Sequence, residues 1–157
     1  DGPQADHLRE LIAREGVGDA VTLHGWLEHA QVQAVAARAQ LLVFPSVREF
    51  GGGVVLEAMA LGVVPVIADY AGPGELVDDT TGFRVPMGSR AQLVAELRER
   101  LQAIAANPGV LPDMARAGQA RVMRDFTWAA KAAQVERIWR AVIAEAPLPQ
   151  ELPVPPR

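Results

Sequence analysis

Val43-Phe44-Pro45-Ser46-Val47-Arg48-Glu49-Phe50-Gly51-Gly52-Gly53-Val54 reads as the end of a strand, a loop, a glycine run and the start of a helix. The run from Leu41 to Phe44 is short and continuously apolar, the pattern of a strand buried on both faces, and Pro45-Ser46 stops it. Three successive glycines remove every Cβ, so backbone can approach a ligand closely. They precede a helix predicted from about Val54 to Leu61, whose first N–H groups have no partner within the helix. Those donors and the helix dipole suit an anion such as phosphate. In an open parallel α/β sheet, ligands bind beyond the carboxyl ends of the strands, which is where this loop falls.

Working outward, Gly2-Pro3 opens a helical segment in which Leu8, Leu11 and Ile12 repeat at helical spacing, and Gly16 and Gly18 end it. Val21-Thr22-Leu23 predicts a short strand closed by Gly25, and Glu28 to Ala39 an alanine-rich helix. Beyond the glycine helix, Gly62 is a stop, Val63 to Ala68 an apolar strand, Glu75 to Val77 a short helix and Gly82 to Val85 a short strand. Three helices follow, over 90–106, 113–125 and 128–145, with Thr127 as a cap and Val135, Ile138, Trp139 and Val142 as a packed face. Trp128 and Trp139 read as core or as an interface. Strands alternating with helices predict an α/β fold: a Rossmann-like parallel sheet with helical crossovers and a helical C-terminal end. One domain is expected over residues 1–146 and a proline-rich tail over 147–157.

Composition removes several classes of function. Cysteine is absent, which excludes disulfides and thiolate metal sites and fits the cytoplasm. The apolar stretches are far shorter than the roughly 20 residues of a membrane span. The net charge of −4 argues against a broad nucleic-acid footprint. No Ser-His-Asp or Cys-His arrangement is available for hydrolysis. His7 and His29 lack a partner at metal spacing, His24 reads as a packed strand-end histidine, and Asp78-Asp79 reads as a turn.

Two carboxylates flank the glycine run, Glu49 before it and Glu57 after it. Carboxylates repel phosphate, but each accepts two charge-assisted hydrogen bonds from a vicinal diol. A ligand with phosphate in the middle and a diol at each end satisfies both, and a nucleotide sugar is such a ligand. The plain alternative is a tight glycine turn with Glu57 as a solvated helix residue.

The stretch from Glu49 to Ala60 (EFGGGVVLEAMA) resembles the glutamate, seven residues, glutamate signature of family-4 glycosyltransferases, which have the GT-B fold. Val21 to Trp26, Phe44-Pro45-Ser46, Gly62 to Ala68, Gly74 to Val77 and Gly82-Phe83 continue the resemblance in order, over about residues 2 to 143. Many members have proline after the first glutamate; here Phe50 follows Glu49 directly. The resemblance implies that Glu57 binds ribose hydroxyls and that Glu49, the catalytic candidate, contacts the hydroxyls of the transferred sugar. It implies that amides of Phe50, Gly51, Gly52 and Gly53 hold sugar and diphosphate, and that Gly25, Trp26 and Leu27 lie beside the base. It further implies retaining transfer from a nucleotide-diphosphate sugar to an acceptor, without metal or other cofactor, in glycan, glycolipid or polysaccharide biosynthesis.

The cations such chemistry needs are sparse near the motif, where only Arg48 and Arg84 stand; Lys131 lies far along the chain. In the family an arginine and a lysine come from an earlier strand-helix unit, and the acceptor-binding domain precedes that. The chain is therefore expected to be a C-terminal donor-binding fragment, inactive and marginally stable alone. Its partners are expected to be a nucleotide sugar and an N-terminal acceptor domain, a cytoplasmic protein with peripheral contact at the inner membrane face through that domain. A sugar-nucleotide epimerase and a non-catalytic nucleotide-sugar-binding module are the competing readings. Glu75, after Gly72-Pro73-Gly74, is a further candidate for a donor contact.

Overall fold

The computed structural model describes residues 2–149, so most of the proline-rich tail, 150–157, lies outside the described residues. The chain divides into two compact units, Asp1–Val35 and Ala36–Arg157. In the first, α1 (Ala5–Glu15) ends where Gly16 turns left-handed at φ 66°, and the N–H groups of Gly16 and Val17 close on the carbonyls of Ala13 and Ile12. A 3₁₀ turn over Gly18–Ala20 follows. The expected strand at Val21–Leu23 does not form. Val21 has extended dihedrals, φ −122° and ψ 123°, but a strand exists only within a ladder, and no described residue pairs with it. His24 is accordingly exposed and not packed at a strand end. Helix α2 (His29–Ala36) runs to the unit boundary.

The second unit contains β1 (Leu41–Phe44), α3 (Gly53–Ala60), β2 (Val64–Ala68), α4 (Ala71–Leu76), β3 (Phe83–Val85), α5 (Arg90–Ala106), α6 (Leu111–Asp125) and α7 (Trp128–Ile143). The strands are all parallel in the order β1-β2-β3, with Phe44 opposite Ile67 and Ile67 opposite Arg84. Every residue of β2 is buried, because it is central and covered on both faces. Strand β1 was expected to share that burial, but its residues are half-buried or exposed, since β2 is its only ladder partner among the described residues.

Alternation along β2 divides the core in two. Ile67 points to one side, where it meets Val55 and Met59 of α3, Leu76, Val77 and Val122 of α6. Val66 points to the other, with Val85 and Ile104 of α5. Gly118 of α6 leaves room for Met59, whose Cε lies 3.6 Å from where a Cβ would stand. Ser89 and Gln92 form a reciprocal capping box at the head of α5, and Thr127 accepts the Ala130 N–H at the head of α7.

The last helix departs from expectation. The half-buried stripe of α7 is Ala130, Lys131, Gln134, Ile138 and Ala141, and α6 is the helix it packs on. Val135, Trp139 and Val142 therefore stand outside that contact, and Trp128 and Trp139 are 92% and 66% exposed. Neither tryptophan is core within this unit. A spacing of three or four residues identifies a helical face, but not what covers it.

Candidate functional site

After β1 the chain passes over Pro45 to Arg48 and curls back at Glu49. The half-buried Glu49 carboxylate accepts hydrogen bonds from the N–H groups of Phe50 at 3.2 Å and Gly52 at 3.1 Å. The curl needs a left-handed residue, and Gly52 supplies it at φ 65°. Gly52 is also buried. A Cβ there would stand 3.1 Å from both Leu76 Cδ1 and Pro73 Cγ.

Support comes from α4. A Cβ on Gly72 would lie 2.3 Å from the Phe50 carbonyl oxygen and 2.9 Å from the Gly51 carbonyl carbon, so the two backbones abut directly. Gly74 packs on Asp69, where a Cβ would stand 3.0 Å from its Oδ1. Ala71, at the head of α4, holds a positive φ of 47°. Strain in a non-glycine residue beside a loop of this kind is a mark of positions that the surrounding structure over-determines.

Gly52 then caps α3, and its carbonyl accepts the Val55 N–H at 2.9 Å. The N–H groups of Gly51, Gly53 and Val54 find no partner among the described residues. Gly51 and Gly53 are exposed, with nothing within 4 Å of where a Cβ would sit, so their amides meet open space. Glu57 lies four residues after Gly53, one turn along the same face. It is exposed, while Val55, Ala58 and Met59 fill the opposite, buried face. The loop thus presents an open arc of donors with a carboxylate at each end.

Positive charge around the arc is slight. Arg48 is exposed and makes no ion pair among the described residues. Arg84 is held by Asp79 at 3.1 Å, and its Nε is buried without a partner among the described residues. Lys131 sits over the Phe126 ring, 4.8 Å from its centroid. No group of His, Asp and Glu among the described residues could hold a metal ion. No described helix is long and apolar enough to cross a membrane.

The second unit therefore brings together Glu49, Phe50, Gly51, Gly52, Gly53 and Glu57. Phe50 is 97% exposed, and its ring takes no part in the core. Gly25, Trp26 and Leu27 belong to the first unit, where Gly25 has φ 67° and the Trp26 side chain is exposed. Glu75 is exposed on α4, and its carbonyl accepts from Arg121 at 3.4 Å. Asp78-Asp79 forms the expected turn, closed by Thr80 and Thr81. The residues that sequence reasoning missed are Gly72 and Pro73, which brace the loop through the backbone of Phe50 and Gly51 and through Gly52. The run Gly72-Pro73-Gly74 was the available signal, because two glycines around a proline mark a close backbone approach.

A parallel α/β sheet with bared amides beyond the carboxyl end of one strand is an arrangement suited to a phosphate-bearing ligand. Residues 1–103 match the family model of the glycosyl transferases group 1. The chain is 34% identical over 122 residues to an alpha-D-kanosaminyltransferase of Streptomyces kanamyceticus, covering 71% of this chain and 31% of that protein. It is 31% identical over 142 residues to a glycogen synthase of Mycobacterium tuberculosis, covering 90% of this chain and 33% of that protein. It superposes on the solved sucrose-phosphate synthase of Thermosynechococcus elongatus with a TM-score of 0.72 and 27% identity, over 92% of this chain and 36% of that one. The chain spans about a third of the length of these relatives. It belongs to the group 1 glycosyl transferases, and its fold is α/β, one half of the GT-B architecture.

Proposed function

We propose that this chain is the C-terminal, donor-binding part of a retaining family-4 glycosyltransferase, and that the arc from Glu49 to Glu57 holds a nucleotide-diphosphate sugar. The observation that carries the proposal is the set of unpartnered N–H groups at Gly51, Gly53 and Val54, with Glu57 one turn behind them on the same exposed face. The amides and the α3 dipole take the diphosphate, and Glu57 accepts from the ribose diol.

Glu49 has two tasks. In this structure its carboxylate spans the amides of Phe50 and Gly52. When donor enters, the carboxylate turns to the sugar hydroxyls and leaves those amides to the ligand. In the transfer itself the bond from the anomeric carbon to the phosphate oxygen breaks. The acceptor oxygen bonds that carbon from the same face, and the acceptor's hydroxyl proton passes to the departing phosphate oxygen. The products are a glycoside and a nucleoside diphosphate. The donor-side residues supply orientation and charge stabilisation, with no resident metal or other cofactor.

The test is calorimetric titration of the intact protein with uridine, adenosine and guanosine diphosphate sugars. One donor should bind, and Glu57→Gln should weaken it at least about tenfold, because one charge-assisted acceptor is lost, while inorganic pyrophosphate, freed of one repelling charge, should bind no more weakly than to wild type. Equal donor binding by Glu57→Gln would overturn the ribose assignment. Incubation with labelled donor then separates transfer from isomerisation and from binding alone.

A further inference from the structure

Helices α6 and α7 enclose a second recess of about 550 Å³, well inside the size range of small-molecule sites. Its charged lining residues are Arg121, Arg124, Lys131 and Arg137, against the single carboxylate of Asp125. The chain as a whole carries 15 basic and 19 acidic side chains, so a concave surface with four cations to one anion is not what composition supplies. Like charges held together cost free energy unless something offsets them, and the offsets here are incomplete.

Two of the four cations are compensated. Arg121 is paired with Asp78 and also donates to the Glu75 carbonyl. Arg124 grips Asp125 with both Nε, at 2.9 Å, and Nη2, at 2.7 Å. The other two are not. Lys131, the only lysine in the chain, lies over the Phe126 ring at 4.8 Å and donates only to the Gln134 amide oxygen, at 3.4 Å. Arg137 has no carboxylate or hydrogen-bond partner among the described residues. The carboxyl end of α6 opposes an anion here and the amino end of α7 favours one, so the helix ends roughly cancel. What is left is two uncompensated side-chain cations beside an aromatic ring.

We infer that the recess between α6 and α7 binds a soluble, phosphate-bearing small molecule through Lys131 and Arg137, with a flat or apolar part of that molecule against Phe126. A guanidinium suits phosphate in a two-pronged geometry, and the ammonium adds a point charge. Concavity favours a small solute over an anionic bilayer, which cannot enter a recess. The proposal is independent of the glycine loop: it concerns other helices and other residues.

The experiment uses the full chain and phenyl phosphate, with inorganic phosphate as a second probe, followed by amide NMR shifts. Phenyl phosphate should bind several-fold more tightly than inorganic phosphate and shift the amides of Phe126 and Lys131. Arg137→Gln should weaken it about fivefold, and Lys131→Gln with Arg137→Gln more than tenfold. Arg137 is exposed, so the single variant keeps its thermal midpoint and a folding defect cannot mimic the loss. Binding that is unchanged in both variants would overturn the proposal. So would shifts confined to residues 50–54, or binding to phosphatidic acid vesicles with none to the soluble probes.

Discussion

Glu49 and Asp78 each fold a carboxylate back onto donors of their own loop, yet one loop is left open and the other is locked. Asp78 accepts from the Thr80 N–H at 2.9 Å and hydroxyl at 2.6 Å, has the Thr81 hydroxyl at 3.2 Å, and pairs with Arg121 from α6. Thr81 Oγ1 in turn accepts the Asp78 N–H at 3.0 Å. Burial works to raise the Asp78 pKa, but the Thr80 hydrogen bonds, the Arg121 charge and Thr81 outweigh it and hold the carboxyl below its ordinary range. Glu49 has two amides and no cation. The 78–81 turn is held by side chains, its own threonines and the Arg121 guanidinium from α6. The glycine loop is held from outside, by backbone contact with Gly72 and by Pro73 and Leu76 packed on Gly52. A loop braced from behind keeps its shape while its polar groups remain free for a ligand, which a self-satisfied turn cannot do.

The largest effect is expected from breaking the external brace. Gly72→Ala forces a Cβ to within 2.3 Å of the Phe50 carbonyl, so the loop must shift. A loss of about 3 kcal/mol is expected in urea denaturation, with amide shifts across residues 50–53. Gly51→Ala is the control: its Cβ meets nothing within 4 Å, and the cost should stay below about 1 kcal/mol. Equal stability of the two variants would remove the brace.

Breaking the side-chain lock on Asp78 comes next. Asp78→Asn keeps an acceptor for the threonines but loses the Arg121 pair, and the side chain is 47% exposed, so solvent screens the loss. A cost of about 1 kcal/mol is expected at neutral pH. The folded-state pKa is lowered, so the stabilisation is fully present above the unfolded carboxylate value of 3.8 and is lost as pH falls through the depressed value. Denaturation midpoints of wild type and variant should therefore converge in strong acid. A gap that persists there would mean the charge is not what locks the turn.

The two loops also differ in how much of them the sequence revealed. The glycine run, the strand before it and the helix after it were all legible, because backbone freedom and apolar runs are local properties. The flanking glutamates were legible as a pair. That Glu49 turns inward onto its own amides was not, since a side-chain rotamer depends on what lies opposite. Nor was the role of Gly72, which arises from contact across the sheet end between segments some twenty residues apart. Edge and centre could not be told apart for Leu41–Phe44 and Val64–Ala68, because pairing order is a tertiary property. The extended stretch at Val21 and the outward face of α7 failed for a related reason. Period and composition mark a surface that needs a partner without saying whether one is present.

A smaller effect sharpens the contrast in charge. Glu49→Gln leaves the amides of Phe50 and Gly52 with a neutral acceptor of the same shape, so stability should change by less than about 0.5 kcal/mol. Removing one negative charge near the open arc is worth about 1 kcal/mol in a largely aqueous setting, so inorganic pyrophosphate should bind about fivefold more tightly. Asp78→Asn should leave that binding unchanged. If Glu49→Gln weakens pyrophosphate binding instead, the carboxylate shapes the arc and does not merely occupy it.

The smallest expected effect lies at Ala71, which joins β2 to the brace. Among the described residues only Ala71 and Glu145 combine a side chain with positive φ, and the 78–81 turn contains none. Holding a Cβ there costs about 1–2 kcal/mol. Glycine would relieve that strain but enlarge the unfolded ensemble by about 0.5–1 kcal/mol, so the terms nearly offset. Ala71→Gly should thus gain no more than about 1 kcal/mol of stability in urea denaturation while leaving amide exchange at Gly51 and Gly53 unchanged. A loss of more than about 1 kcal/mol would show that the Ala71 methyl itself supports the brace, and that the open loop depends on a side chain after all.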